Sequence, residues 1–197
     1  MLQPFILQGR YVQLEPLSRD HHSGLCEVGL GDELWRWIPY QVSSPAQMME
    51  YIETAILNRE KGLEIPFATI DRASGRVVGS TRFMSIELKH RRLEIGATWV
   101  APDWQRSAIN TEAKYLMLSH AFGALDCHRV EFKTDVMNQK SRAAILRLGA
   151  TQEGIFRNHI VTASGRIRDS IWFSIIGSEW PGVKAELERK LSGRAAD

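Results

Sequence analysis

The chain has 197 residues, of which 44% are hydrophobic and 24% are charged, and this predicts a single domain, residues 1–197, with a substantial core. Its formal net charge is +2 and the basic residues are scattered, which argues against a protein that binds nucleic acid. Residues 1–10 lack a signal-peptide pattern and no uncharged stretch approaches the ~20 residues of a membrane span, so we expect a cytoplasmic protein without membrane contact.

The first half of the chain combines alternating patterns with helix signals. Alternation of apolar and polar residues predicts half-buried strands, and Ser18 and the Ser44-Pro45 pair are typical of helix starts. Gly62 ends the second helix, and a stretch of turn residues separates the next two strands. We predict strands at residues 11–17, 66–70, 76–83 and 92–100, helices at 18–29 and 45–61, and a hairpin turn at 71–75.

The second half changes to a helical period after Pro102 and then mixes both patterns. Gly149 is a typical helix stop. The resulting order of elements indicates an α+β fold. We predict helices at residues 110–122, 138–148 and 179–191, strands at 129–134, 151–159 and 167–176, and fraying at 194–197.

Residues 98–113 join the end of a strand to the start of a helix. The N–H groups and the dipole of a helix start attract phosphate. Ser107, Asn110 and Thr111 can cap the helix or reach phosphate oxygens, and Arg106 can fork onto a phosphate. An ordinary capped helix explains the same spacing, so the residues alone leave both interpretations open.

Asn138 and Ser141 stand three positions apart at another helix start, and therefore face the same side. Asparagine is among the preferred N-cap residues, and capping alone explains Asn138. The functional alternative makes Asn138 a partner of a ligand amide and Ser141 a proton donor.

Cys26 and Cys127 are far apart and lie outside any metal-binding motif. His120 and His128 are close to Cys127 in the sequence, but no third ligand shares their spacing. We therefore expect free thiols and no metal site.

Three motifs occur in the order and spacing of one known family: PDWQRSAINTEA at residues 102–113, NQKS at 138–141 and LGATQEG at 148–154. Together they resemble the GNAT superfamily of N-acetyltransferases, in the branch that includes the ribosomal-protein N-terminal acetyltransferases. The similarity extends over residues 11–180. It implies a mixed α/β fold with helices flanking a mostly antiparallel sheet of about seven strands, splayed between the fourth and the fifth.

The resemblance also implies an acyltransferase that moves an acetyl group directly from acetyl-coenzyme A to a primary amine. The acceptors to consider are a protein N-terminus, an amino acid, a peptide and a small amine. A homodimer follows from the habits of the family.

By the same resemblance, coenzyme A lies between the strands at residues 92–100 and 129–134. Asn138 hydrogen-bonds the pantetheine arm, and the pyrophosphate meets the loop before the helix. The residues expected to bind the cofactor are Trp99, Val100, Gln105, Arg106, Ser107, Ala108, Ile109, Asn110, Thr111, Asn138 and Ser141.

For catalysis, the resemblance implies that Ser141 protonates the leaving thiolate. Glu94 is the first candidate for the general base, with water as the alternative. Trp35 and Trp37 either line the acceptor pocket or belong to the core.

The loop departs from the family at two positions, because this branch has glycine where the chain has Arg106 and Ala108. Glycine permits positive φ and lets the backbone approach a phosphate. Arg106 is the larger departure, and its charge can compensate for the missing glycine. The altered loop keeps a rival class open, a non-catalytic module that binds coenzyme A as a sensor or partner-binding protein.

Overall fold

A computed structural model describes residues 3–193, so the predicted fraying at 194–197 lies outside the described residues. The strands are β1 Leu7–Gln8, β2 Val12–Pro16, β3 Ile65–Asp71, β4 Val77–Glu87, β5 Arg92–Val100, β6 Arg129–Asp135, β7 Thr151–Val161 and β8 Ile167–Ile176. The helices are α1 His22–Gly29, α2 Asp32–Trp35, α3 Pro45–Glu60, α4 Ile109–Gly123, α5 Gln139–Arg147 and α6 Trp180–Gly193.

One sheet contains all eight strands, in the order β1-β2-β3-β4-β5-β6-β8-β7. Neighbouring strands are antiparallel except β5 and β6, which are parallel. The predicted fold class is confirmed, with eight strands in place of about seven. The additional strand, β1, pairs Leu7 with Leu14 and is only two residues long, too short for an alternating pattern to reveal it.

Most element boundaries fall within a few residues of the prediction, and the differences have local causes. β4 continues beyond Phe83 to Glu87 because Ser85, at φ +48°, is accommodated as a bulge rather than a strand end. The first predicted helix begins as a 3-10 turn, Arg19–His21, before α1. The sequence does not predict α2, because a single turn is too short to show a helical period.

The two faces of the sheet carry different cores. The large core lies between the sheet and α4, α5 and α6, and includes Phe67, Phe83, Phe132 and Phe173. The small core lies on the opposite face, where residues of α1, α2 and α3 pack on β3 and β5.

Beyond β5, the small-core face carries charged and polar side chains that belong to neither core. Strand alternation places them opposite the large-core residues of β6 and β8. We call this set the polar face: Glu131, Lys133, Asp135, Arg168, Ser170, Trp172 and Ser174. No helix in residues 3–193 is long and apolar enough to cross a membrane.

Candidate active site

β5 and β6 run side by side for three residue pairs and then separate. Arg92, Leu93 and Glu94 pair with residues 129–131, and no further pairing joins the two strands within the described chain. At Ala97, φ is +45° and β5 has one more residue than β4 opposes, so the strand is bulged. We call the resulting opening, between residues 95–100 and 132–135, the β5–β6 gap.

The loop between β5 and α4 is held by its own side chains. Gln105 donates from Nε2 to the carbonyl of Val100 at 2.9 Å. Ser107 donates from Oγ to the carbonyl of Trp104 at 2.6 Å, and the same oxygen accepts the N–H of Ile109 at 3.3 Å. These bonds hold the start of α4 next to the open end of β5. The sequence predicts the phosphate site at this helix start.

Arg106 has φ +63°, in the left-handed region that favours glycine. The branch that the sequence resembles has glycine at this position, so the backbone keeps the glycine-like conformation although the side chain is arginine. Ala108 has φ −71° and ψ −21°, ordinary helical values that need no glycine. The two departures therefore differ physically, and only Arg106 is strained.

Glu112, one turn into α4, anchors the first hairpin of the chain. Its carboxylate accepts the backbone N–H groups of Arg10, Tyr11 and Val12 at 2.8, 2.6 and 2.8 Å. The residue is buried, and these charge-assisted bonds compensate its desolvation. This part of the 102–113 motif fixes α4 to β2, across about a hundred residues of sequence.

Asn138 is the N-cap of α5, as its residue type predicts. Its Oδ1 accepts the backbone N–H of Ser141 at 3.0 Å, which confirms the capping interpretation. Capping uses the oxygen of the amide, and its Nδ2 group makes no hydrogen bond within the described residues. Both residues are partly exposed just beyond the end of β6. Their roles toward a ligand stay predictions.

Glu94 lies on β5 at the last residue pair before the β5–β6 gap. It is 4% exposed, and its Oε2 accepts from Nζ of Lys133 at 3.1 Å. The ammonium group of Lys133 also lies 5.1 Å from the centre of the Trp172 ring. The predicted base is therefore an ion-paired carboxylate rather than an isolated one.

Trp35, Trp37 and Trp99 have different surroundings. Trp35 is 2% exposed and belongs to the small core, and its Nε1 donates to the carbonyl of Gly29 at 2.7 Å. Trp99 packs against it, with ring centres 5.4 Å apart. Trp37 is half-buried, with Arg36 and Arg166 near its ring at 5.0 and 5.5 Å.

The core alternative is thus confirmed for Trp35, although Trp35 also borders a cavity of about 330 Å³. That cavity lies between the α2 segment and the β7–β8 turn, which the backbone bond from Ala163 to Pro39 joins at 2.9 Å. A role of Trp35 and Trp37 in acceptor binding stays a prediction.

Lys114 on α4 was not identified from the sequence. It is 5% exposed, and its Nζ lies 2.9 Å from Oγ1 of Thr81 and 2.6 Å from Oγ1 of Thr98. Burial lowers the pKa of Lys114 to about 7. Its contacts hold α4 against β4 and β5 immediately after the bulge at Ala97. Within residues 3–193, no group of three or more His, Cys, Asp or Glu side chains is placed to hold a metal ion.

Comparisons with known proteins agree with this architecture. A family described as "Acetyltransferase (GNAT) domain" matches residues 12–151. The chain is 31% identical over 110 residues to the Bacillus subtilis protein named "Putative ribosomal N-acetyltransferase YdaF", in an alignment that covers 56% of this chain and 59% of that protein.

Solved structures are similar over nearly the whole chain. A GCN5-related N-acetyltransferase from Brucella melitensis is 33% identical, with a TM-score of 0.89 over 96% of this chain and 86% of that chain. RimJ of Mycobacterium smegmatis, solved in complex with CoA-disulfide, is 23% identical, with a TM-score of 0.83 over 97% of this chain and 96% of that one. The second likeness supports the fold alone.

Proposed function

The chain belongs to the GNAT acetyltransferase family, and on that premise we propose that it transfers an acetyl group from acetyl-coenzyme A directly to a primary amine. The observation that carries the proposal is the β5–β6 gap, which opens beside the start of α4. Strand backbone that is not paired across the gap can bond an amide-containing arm, while the helix start can bind phosphate. These are the two chemical parts of coenzyme A that a protein must hold.

The residues present fit such a ligand. Arg106 keeps the left-handed backbone of a phosphate-approaching loop and adds a positive charge. Gln105, Ser107, Ala108, Ile109, Asn110 and Thr111 form the remaining predicted contacts with the pyrophosphate. Trp99 and Val100 offer backbone to the pantetheine arm, and Asn138 offers its amide nitrogen.

Bound acetyl-coenzyme A supplies an acetyl group activated as a thioester. The acceptor arrives as an ammonium ion, so a proton must be removed before its nitrogen can attack. Glu94 or a water molecule takes that proton, and backbone N–H groups stabilise the oxyanion. Ser141 donates a proton to the departing sulfur, and the second proton that the nitrogen loses as the amide forms restores the hydroxyl of Ser141.

A protein N-terminus is one acceptor class to test, because the relative YdaF is named for ribosomal acetylation. An amino acid, a peptide and a small amine are the others. The homodimer and the cytoplasmic location remain predictions from the sequence.

The rival function is a coenzyme A-binding module without catalysis. The altered loop keeps this rival open, because Arg106 and Ala108 stand where the family has glycines next to the expected phosphates, although Ala108 itself has ordinary helical values. Retention of Asn138 and Ser141 favours the enzyme, since a binding module has no need of a proton donor.

Two measurements test the proposal. Coenzyme A that binds only the native state stabilises it by about 2.7 kcal/mol at a hundred times Kd, so the melting temperature should rise by several degrees. Release of free thiol from acetyl-coenzyme A with a panel of primary amines should follow. A melting shift without thiol release would support the binding module, and no shift at millimolar coenzyme A would contradict both functions.

A further inference from the structure

Arg168 on β8 is a buried cation with few partners. It is 4% exposed, and its Nη1 donates to the backbone carbonyl of Trp37 at 3.2 Å. Its Nε is buried without a hydrogen-bond partner and lies 4.0 Å from Oδ2 of Asp135, beyond hydrogen-bond distance. A guanidinium group has five N–H donors, so the protein uses few of the hydrogen-bond donors of Arg168.

Other cations already engage the carboxylates near Arg168. Asp135 forms an ion pair with Arg166, and Glu94 forms one with Lys133. Burial is the largest influence on Arg168 and lowers the pKa of its guanidinium group, although the charges of Asp135 and Glu94 act in the opposite direction. Arg168 is therefore the cation of this cluster without a hydrogen-bonded carboxylate, since its ion pair with Asp135 is 4.0 Å long and Arg166 also engages that carboxylate.

Arg82 on β4 provides the internal comparison. It is also buried and its Nε is also unpartnered, but its Nη1 donates to Oε2 of Glu64 at 2.8 Å. Burial alone would lower the pKa of Arg82, yet the neighbouring Tyr51, Tyr40 and Glu64 raise it. The protein gives Arg82 a hydrogen-bonded carboxylate, whereas Arg168 has a 4.0 Å ion pair with a carboxylate that Arg166 also engages.

Arg168 lies where an acceptor would approach. Ser170 and Trp172 share its face of β8, and Ser170 pairs with Asp135 at the end of β6 that borders the β5–β6 gap. Arg168 precedes Ser170 by two residues, so it stands on the polar face at the open end of the gap. The backbone carbonyl of Trp37 satisfies one donor but carries no charge that could balance the guanidinium.

We infer that the acceptor carries a carboxylate close to its primary amine and that Arg168 binds this carboxylate. The inference rests on the proposed acetyl transfer and narrows its acceptor class. Arginine recognises carboxylates through parallel N–H bonds, and the arriving anion would supply the hydrogen-bonded carboxylate that Arg168 lacks. A free amino acid presents such a group as its α-carboxylate, and a peptide can present it on an acidic first residue.

Two matched acceptor pairs test the inference by thiol release. Alanine is compared with alaninamide, and a peptide amide that begins with glutamate is compared with its glutamine counterpart. We expect the carboxylate member of one pair to have kcat/KM at least about tenfold higher, since a charge-assisted bond of about 1.5–3 kcal/mol gives this ratio. The pair that shows the preference identifies which carboxylate is bound.

Variants connect the preference to Arg168. Arg168→Met should abolish it, and Arg168→Lys should keep part of it. Arg157→Met, an exposed arginine on β7, is the matched control and should leave the preference unchanged. Equal rates within both pairs, or a preference that survives in Arg168→Met, would overturn the inference.

A calorimetric titration separates this failure from failure of the proposed enzyme. Alanine and alaninamide are titrated into the wild type and Arg168→Met, each melting cooperatively and saturated with coenzyme A, and the peptide pair is treated in the same way. Binding of a carboxylate member that is lost in Arg168→Met, without acetylation of any amine, supports the anion site and contradicts the enzyme. Acetylation of amines without any carboxylate preference supports the enzyme and contradicts the anion site.

Discussion

The two halves of one sheet face differ in what covers them. Over β3 and β5, the helices α1–α3 bury Trp35 and Trp99 in the small core. Over β6 and β8, the same face keeps the charged side chains of the polar face, including Lys133 and Arg168. The β5–β6 gap separates the two halves.

This difference indicates that the two halves have different roles. An apolar wall is rigid and excludes water, and it fixes the geometry of β5 along the gap. A polar wall offers groups that bind charge and move protons, at some cost in stability. The proposed transfer of an acyl group to an amine would take place between these two walls, where β5 and β6 separate.

Removal of the Trp35 side chain should destabilise the half of the sheet that α1–α3 cover. Trp35→Ala should lower the free energy of unfolding by about 3–5 kcal/mol, because a buried indole leaves a cavity. Chemical denaturation measures this loss. Trp37→Ala, at a half-buried position between two arginines, should be markedly milder. Equal losses for both variants would contradict the assignment of Trp35 to the core.

Removal of the Ser141 hydroxyl should leave both halves folded and impair the chemistry between them. Ser141→Ala should lower kcat ~10²-fold if proton donation limits the rate, with a smaller change in coenzyme A affinity. The backbone N–H of Ser141, which the Asn138 cap binds, remains. Ser192→Ala on α6 is the control, and an unchanged kcat for Ser141→Ala would assign protonation of the thiolate to water.

The burial of Lys114 against β4 and β5 should appear in the pH dependence of the free energy of unfolding. Burial lowers its native pKa to about 7, whereas an unfolded chain holds the proton up to about pH 10.4. Between these values the unfolded state binds more protons, so stability rises with pH by at most about 1.4 kcal/mol per unit. Below pH 7 both states are protonated and this dependence disappears.

Denaturation from pH 7 to 10 should therefore show a slope that Lys114→Met loses and that Lys140→Met, at an exposed position on α5, retains. Parallel curves for the wild type and Lys114→Met would contradict the lowered pKa.

Arg106 lies at the end of the gap, and replacing it by glycine has two opposite effects on coenzyme A binding. The change removes a positive charge, and it also relieves the positive φ of the backbone. We expect the charge to dominate, so Arg106→Gly should weaken coenzyme A binding a few-fold, less at high ionic strength. Calorimetry at two salt concentrations measures this. Tighter binding of Arg106→Gly at every salt concentration would mean that relief of φ +63° dominates. Arg106→Glu should weaken binding in either case.

Of these variants, Glu94→Gln should change kcat/KM least, because the carboxylate of Glu94 is already held in an ion pair with Lys133. If Glu94 is the base, the variant should depress the acidic limb of the kcat/KM profile more than the alkaline plateau. A profile that coincides with that of the wild type would leave water as the proton acceptor.

Local patterns predicted much of this molecule. The alternation of β6 and the cap at Asn138 were readable from the residues themselves. The glycine-like backbone at position 106 was expected from the family resemblance alone, and the fold, the family and the acyltransferase class that this resemblance implied are confirmed. What the sequence could not reveal depends on partners that are distant in the chain. Glu112 meets backbone about a hundred residues away, and Arg168 differs from Arg82 only in its tertiary neighbours.

The role of Trp35 shows the same limit. Its sequence context suits a core position and an acceptor pocket equally, and the core position became evident only from the packing of α2 against Trp99. The positive φ of Ala97 is likewise invisible in a strand pattern, because the bulge is defined by its register against β4.

The central claim is that coenzyme A occupies the β5–β6 gap, and amide hydrogen exchange with and without coenzyme A tests it most directly. Coenzyme A bound in the gap should slow amide exchange in residues 97–111 and around residues 138–141, with little change in α3 on the covered half. Binding confirmed by calorimetry without protection in residues 97–111, or with protection centred on α3, would contradict it.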